Sequence, residues 1–75
     1  MQAEKRLSEL KMGEKGIVKR FDDEELSLKL LEMGCLPGYE IELIGTAPLG
    51  DPICVSVYGY KLAIRLKEAN TVWVV

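Results

Sequence analysis

Apolar positions along this chain fall into one helical stripe and several alternating runs. Leu26, Leu30 and Met33 recur at the spacing of a helix face, with Leu31 beside them, and predict an amphipathic helix. Asp22 is the expected N-cap because Glu25 follows three residues later, as in a capping box. Glu24 and Glu25 also suit the positive end of the helix dipole. Gly34 fits the left-handed position just past the helix, Cys35 then packs back on Leu30 as in a Schellman stop, and Pro37 forbids continuation.

The rest of the pattern is extended. Leu7-Ser8-Glu9-Leu10 reads as one short helical turn, and residues 11–16 loop into a first strand. That strand places Ile17, Lys19 and Phe21 on one face and Val18 and Arg20 on the other. Tyr39, Ile41 and Leu43 share a face opposite Glu40 and Glu42; Ile53, Val55 and Val57 share another, as do Leu62, Ile64 and Leu66. Gly59-Tyr60 suits a tight hairpin turn with glycine first. Lys67-Glu68-Ala69-Asn70 reads as a helical turn before a β-branched last strand, Thr71 to Val75. About five short strands and one inserted helix predict a small, strongly bent sheet closing toward a barrel, which also protects its edges.

Size limits what such a fold can hold. A chain of 75 residues buries about 60% of its unfolded surface and supports one small core, with little room for a deep active site. The composition, 48% hydrophobic and 29% charged, is that of a folded globular domain. The polar start, Met1 to Arg6, lacks the apolar stretch of a leader, and no run is long enough to cross a bilayer. A cytoplasmic protein with reduced cysteines is the expectation. The net charge of −2 argues against nucleic acid as a partner.

The chemistry is sparse. There is no histidine, which removes imidazole catalysis and His metal sites, and no glycine spacing matches a phosphate loop. No residue is assigned a catalytic role. Cys35 and Cys54 lack a paired Cys-x-x-Cys and read as small buried hydrophobes; a reactive thiol is the rival, with Cys35 favoured because its corner is expected to be exposed. The acids Asp22 to Glu25 are explained by helix-end electrostatics without a cation. Lys61, Arg65 and Lys67 read as a solvated face of one strand, with a weak basic patch as the rival. Tyr58, Tyr60 and Trp73 form either an aromatic surface for a proline-rich peptide or part of the barrel packing.

Two corners carry a resemblance. The first is Lys29-Leu30-Leu31-Glu32-Met33-Gly34-Cys35-Leu36-Pro37-Gly38, and the second is Ala47-Pro48-Leu49-Gly50-Asp51-Pro52. With the following stretch from Ile53 to Ala69, their order and spacing resemble the ferrous iron transport protein A (FeoA) family over essentially the whole chain. The resemblance implies an SH3-like small β-barrel with a helix inserted after the first strand. It implies a cytoplasmic, non-catalytic accessory of the bacterial ferrous iron permease FeoB, which has a cytosolic G-protein domain and a membrane pore. No cofactor or metal is assigned, and contact with the membrane is expected only through that partner. The same module is similar to the C-terminal domain of iron-dependent repressors, which makes a stand-alone metal-sensing domain the alternative. The family's motif residues fall on Leu31, Gly34, Leu36, Pro37, Gly38, Pro48, Gly50, Asp51 and Pro52, and with Leu49 these are the expected partner surface. Cys35 departs from the family, which more often has an aliphatic residue or methionine there. Exposed strand edges leave room for weak self-association.

Overall fold

The computed structural model describes residues 3–75; Met1 and Gln2, the first residues of the polar start, lie outside the described residues. In chain order the elements are β1 (Lys5–Arg6), a 3₁₀ turn (Leu7–Glu9), β2 (Lys15–Phe21), α1 (Glu24–Glu32) and β3 (Glu40–Thr46), followed by β4 (Ile53–Val57), β5 (Tyr60–Ile64), α2 (Leu66–Ala69) and β6 (Val72–Val74). The strands pair antiparallel in one sheet of order β1-β6-β2-β3-β4-β5.

Alternation decides what is buried. Val18 of β2, Ile41 and Leu43 of β3, and Ile53, Val55 and Val57 of β4 join Ile64 of β5 and Val72 and Val74 of β6 in a single cluster. A flat sheet six strands wide would hold its outer strands too far apart to share a core, so the sheet curls around these side chains. Register shifts between Val18 and Arg20 and between Leu43 and Gly45 mark where it bends. Leu7 and Leu10, Leu30 and Cys35, and Ala69 of α2 complete the core. The folded surface is 4810 Å², near the roughly 4,600 Å² that size scaling gives.

The mainly β fold with a helix after the first long strand is as expected, but there are six strands among the described residues rather than about five. The extra one, β1, spans two residues and shows no alternation to read. Other local expectations shift for identifiable reasons. The N-cap of α1 is Asp23, whose carboxylate accepts the Leu26 N–H at 3.0 Å. Asp22 instead faces Arg6 and Arg20, at 3.2 and 3.1 Å. The β4–β5 turn consists of Tyr58 and Gly59, not Gly59 and Tyr60, because Val57 pairs with Tyr60. Both turn residues have positive φ, 48° and 82°, as a type I′ turn requires. Leu66 opens α2 instead of extending β5, so Lys61, Arg65 and Lys67 do not share one strand.

The helix stop matches expectation in detail. Gly34, at φ +98°, donates its N–H to Leu31 O at 3.0 Å, and the Cys35 N–H reaches Leu30 O at 2.9 Å. These are the two bonds of a Schellman motif, and Leu30 and Cys35 are both fully buried. Cys35 is therefore not at an exposed corner. Burial pushes its thiol up to about 11.

Candidate functional site

An apolar groove of about 360 Å³ opens where the end of α1 faces the β4–β5 hairpin. Met33, Gly34, Leu36 and Tyr39 line one side; Val57, Tyr58, Tyr60 and Leu62 line the other. None of these is charged.

Two turns build it. The Schellman stop swings the chain off α1, and a second turn follows at once, closed by the Tyr39 N–H on Leu36 O at 3.1 Å. Pro37 and Gly38 occupy its central positions, and Gly38 has φ +90°, as the third residue of a type II turn requires. Gly38 also donates to Val18 O at 2.7 Å, which fixes the corner against β2. Across the groove, Tyr58 and Tyr39 meet edge to face with ring centroids 4.4 Å apart. Tyr58 and Tyr60 are 68% and 75% exposed, so the hairpin raises aromatic side chains at the rim instead of burying them. Tyr58 holds its place at a φ that costs a non-glycine residue about 1–2 kcal/mol.

The expected site residues divide between two places. Gly34 and Leu36 line the groove. Pro37 and Gly38 are exposed beside it, and Leu31 is half-buried on α1. Pro48, Leu49, Gly50, Asp51 and Pro52 lie elsewhere. They connect β3 to β4 at the Ile53 end of β4, whereas the groove sits at the Val57 end, four residues or about 13 Å away along the strand. The structure does not join the two corners into one surface. The second loop is held by Gly50 N–H on Ala47 O at 2.7 Å and Ala47 N–H on Pro52 O at 2.9 Å, and its tip, Leu49, is 97% exposed. Asp51 serves the fold by accepting the N–H of Leu66 at 3.0 Å, which caps α2.

Trp73 separates from Tyr58 and Tyr60. It lies on β6 between Arg6 of β1 and Arg20 of β2, whose guanidiniums stand 4.3 and 4.8 Å from its ring centre. Its buried indole N–H faces Asp22 without forming a full hydrogen bond. That N–H, with Arg6 and Arg20, holds the Asp22 carboxyl below the usual range although desolvation opposes them. This cluster ties β1 and β2 to β6. On the α2 side, Glu68 is a buried carboxylate, 3% exposed, paired with Lys29 of α1 at 2.6 Å and with the Arg65 N–H at 3.0 Å. Lys29 and the Arg65 N–H keep its pKa low although burial opposes them.

At about 11, the Cys35 thiol is protonated at neutral pH and is neither a nucleophile nor a ready ligand. Among the described residues, no three Cys, Asp or Glu side chains converge as metal ligands. Among the described residues, no helix is long and apolar enough to cross a membrane.

A curled antiparallel sheet with an inserted helix and an apolar, tyrosine-rimmed groove has the architecture of a small SH3-like domain. The sequence profile of the FeoA domain matches residues 5–75, and the chain belongs to the FeoA family. A curated relative is the Fe(2+) transport protein A/Fe(2+) transporter FeoB fusion protein of Porphyromonas gingivalis, 34% identical over 65 residues. That match covers 85% of this chain but only 8% of the fusion protein. Among solved structures, an iron uptake regulatory protein (FeoA) is 36% identical, with a TM-score of 0.85 over 97% of this chain and 96% of its own. FeoA of Stenotrophomonas maltophilia in complex with zinc, described as a prokaryotic SH3 domain protein, is 29% identical. Its TM-score is 0.81 over 95% of this chain and 89% of that one.

Proposed function

We propose that this chain is a non-catalytic, cytoplasmic accessory of bacterial ferrous iron uptake that docks on the cytosolic part of an FeoB-type permease. One observation carries the reading: in the Porphyromonas gingivalis relative, the matching stretch belongs to the same polypeptide as an FeoB transporter. A covalent link holds two modules at high effective concentration, and such a link is useful when the separate proteins act together. The groove end provides the main contact face, with Leu31, Gly34, Leu36, Pro37 and Gly38 along one side. The loop Pro48 to Pro52, with Leu49 at its tip, is a second contact at the far end of β4.

Calorimetric titration of the protein with the isolated cytosolic domain of an FeoB-type permease tests this reading. Saturable binding is expected, weakened at least about tenfold by Leu36→Glu, which puts a charge into an apolar contact. Absence of binding at high micromolar partner contradicts it. The alternative, a stand-alone metal-sensing module, predicts a tight stoichiometric site for ferrous iron or zinc in anaerobic calorimetry. The burial of Cys35 weighs against the thiol that such a site would use.

A further inference from the structure

The groove has an open strand beside it. β5 is an edge of the sheet and, among the described residues, pairs with β4 alone. The two-residue turn makes Val57 and Tyr60 a hydrogen-bonded pair, so the bonded positions of β5 continue at Leu62 and Ile64. The backbone N–H and C=O groups of Lys61 and Ala63 therefore point away from β4. Both residues are exposed, and these groups have no partner among the described residues.

The two faces of this edge differ. Tyr60 and Leu62 turn onto the groove side. Lys61 turns to the opposite face, and Arg65 follows at the end of the strand; neither makes an ion pair among the described residues. A segment laid alongside β5 would complete the ladder and send alternate side chains to each face. One set would cover Tyr60 and Leu62, and the other would meet Lys61 and Arg65.

We propose that the exposed edge of β5 is a strand-addition site for an extended partner segment of alternating apolar and acidic residues, with its apolar side chains seated in the adjoining groove. Charge complementarity selects this occupant. A second copy paired through β5 would bring Lys61 and Arg65 of both molecules together, and like charges across strands repel. A polyproline segment would fill the groove but leave the ladder unmade. Lys61, a residue type that guards edges against indiscriminate pairing, here admits an acidic strand. The proposal deepens the docking reading, on which it rests only for the identity of the natural partner.

The test uses two probes. The first is a synthetic peptide of alternating valine and glutamate, compared with a valine–lysine peptide, a proline-rich peptide and an N-methylated valine–glutamate peptide. The second is the cytosolic domain of an FeoB-type permease. Amide hydrogen exchange is read residue by residue. The valine–glutamate peptide is expected to slow exchange at Lys61 and Ala63 by about tenfold or more, with shifts at Tyr60 and Leu62. The lysine and N-methylated peptides are expected to fail. The double variant Lys61→Glu, Arg65→Glu is expected to lose about tenfold for the acidic peptide and to gain binding to the basic one. That reversal distinguishes charge recognition from damage to the fold.

Lack of protection at Lys61 and Ala63 with both probes overturns the proposal, as does equal or better binding of the proline-rich peptide. Concentration-dependent pairing through β5 without any probe also overturns it. If the permease domain binds and protects other residues only, strand addition falls and docking stands. If the acidic peptide protects Lys61 and Ala63 but the permease domain does not bind, strand addition stands and the permease reading falls.

Discussion

The two glycine- and proline-rich corners look alike in sequence, yet the structure uses them differently. The first, Gly34 to Gly38, is tied inward. Cys35 sits in the core, Gly38 bonds to β2, and Leu36 enters the groove. The second, Pro48 to Pro52, is tied only to itself and to the start of α2, and it holds Leu49 out in solvent. Local stiffness is common to both. What separates them is the strand between, since β4 carries its two ends to opposite sides of the molecule. A rigid turn thus fixes how a surface is shaped, while strand length and register fix which surface it belongs to.

The largest expected effect lies in the core contact beneath the first corner. Leu30→Ala removes a fully buried side chain and is expected to cost about 2–5 kcal/mol in urea denaturation. On a small domain this removes much of the stability and opens the helix stop with it.

Lys29→Ala comes next. It leaves the buried Glu68 carboxylate with only the Arg65 N–H, at an expected cost of about 1–2 kcal/mol. The pH dependence sharpens this. The folded pKa of Glu68 is depressed below the ordinary value of 4.5, so its contribution is present above that pH and is lost as pH falls through the folded value. Denaturation midpoints of the parent protein are therefore expected to fall with acid below about pH 4.5. Those of Lys29→Ala are expected to fall less over the same window.

A smaller pair of changes compares the corners directly. Gly34→Ala and Gly50→Ala each force a side chain to a positive φ, +98° and +87°, at about 1 kcal/mol apiece. Their spectra are expected to differ: the first moves the ring resonances of Tyr39 and Tyr58, and the second moves the loop and Leu66 only. The smallest effect belongs to Leu49→Ser, within about 0.5 kcal/mol of the parent in the same denaturation assay, because Leu49 is almost fully exposed.

The helix stop was legible because all its signals lie within a few residues of one another. Leu30, Gly34, Cys35 and Pro37 each have a local reason for their place, and both Schellman bonds follow from them. The core strands were legible for a similar reason, since alternation is a local property and Val55, Ile41 and Ile64 bury as it requires. The groove was only partly legible. Gly34, Leu36, Tyr58 and Tyr60 stand out in the sequence, but Tyr39, Val57 and Leu62 join them only through the pairing of β3, β4 and β5. The same non-local register carries Trp73 away from the tyrosines and sets it between two arginines. Asp51 looked like part of a surface motif, and its capping of α2 depends on a contact with Leu66 that no short window of sequence contains.

Residue-resolved mapping decides whether the groove end is the face that meets the permease. Isotope-labelled protein is titrated with the cytosolic domain of an FeoB-type permease while backbone amide resonances are followed. Saturable shifts concentrated at Gly34, Leu36, Gly38, Tyr58 and Tyr60 are expected. Saturable binding that leaves those amides unmoved, or no shift at all at high micromolar partner, would contradict the groove end as that face.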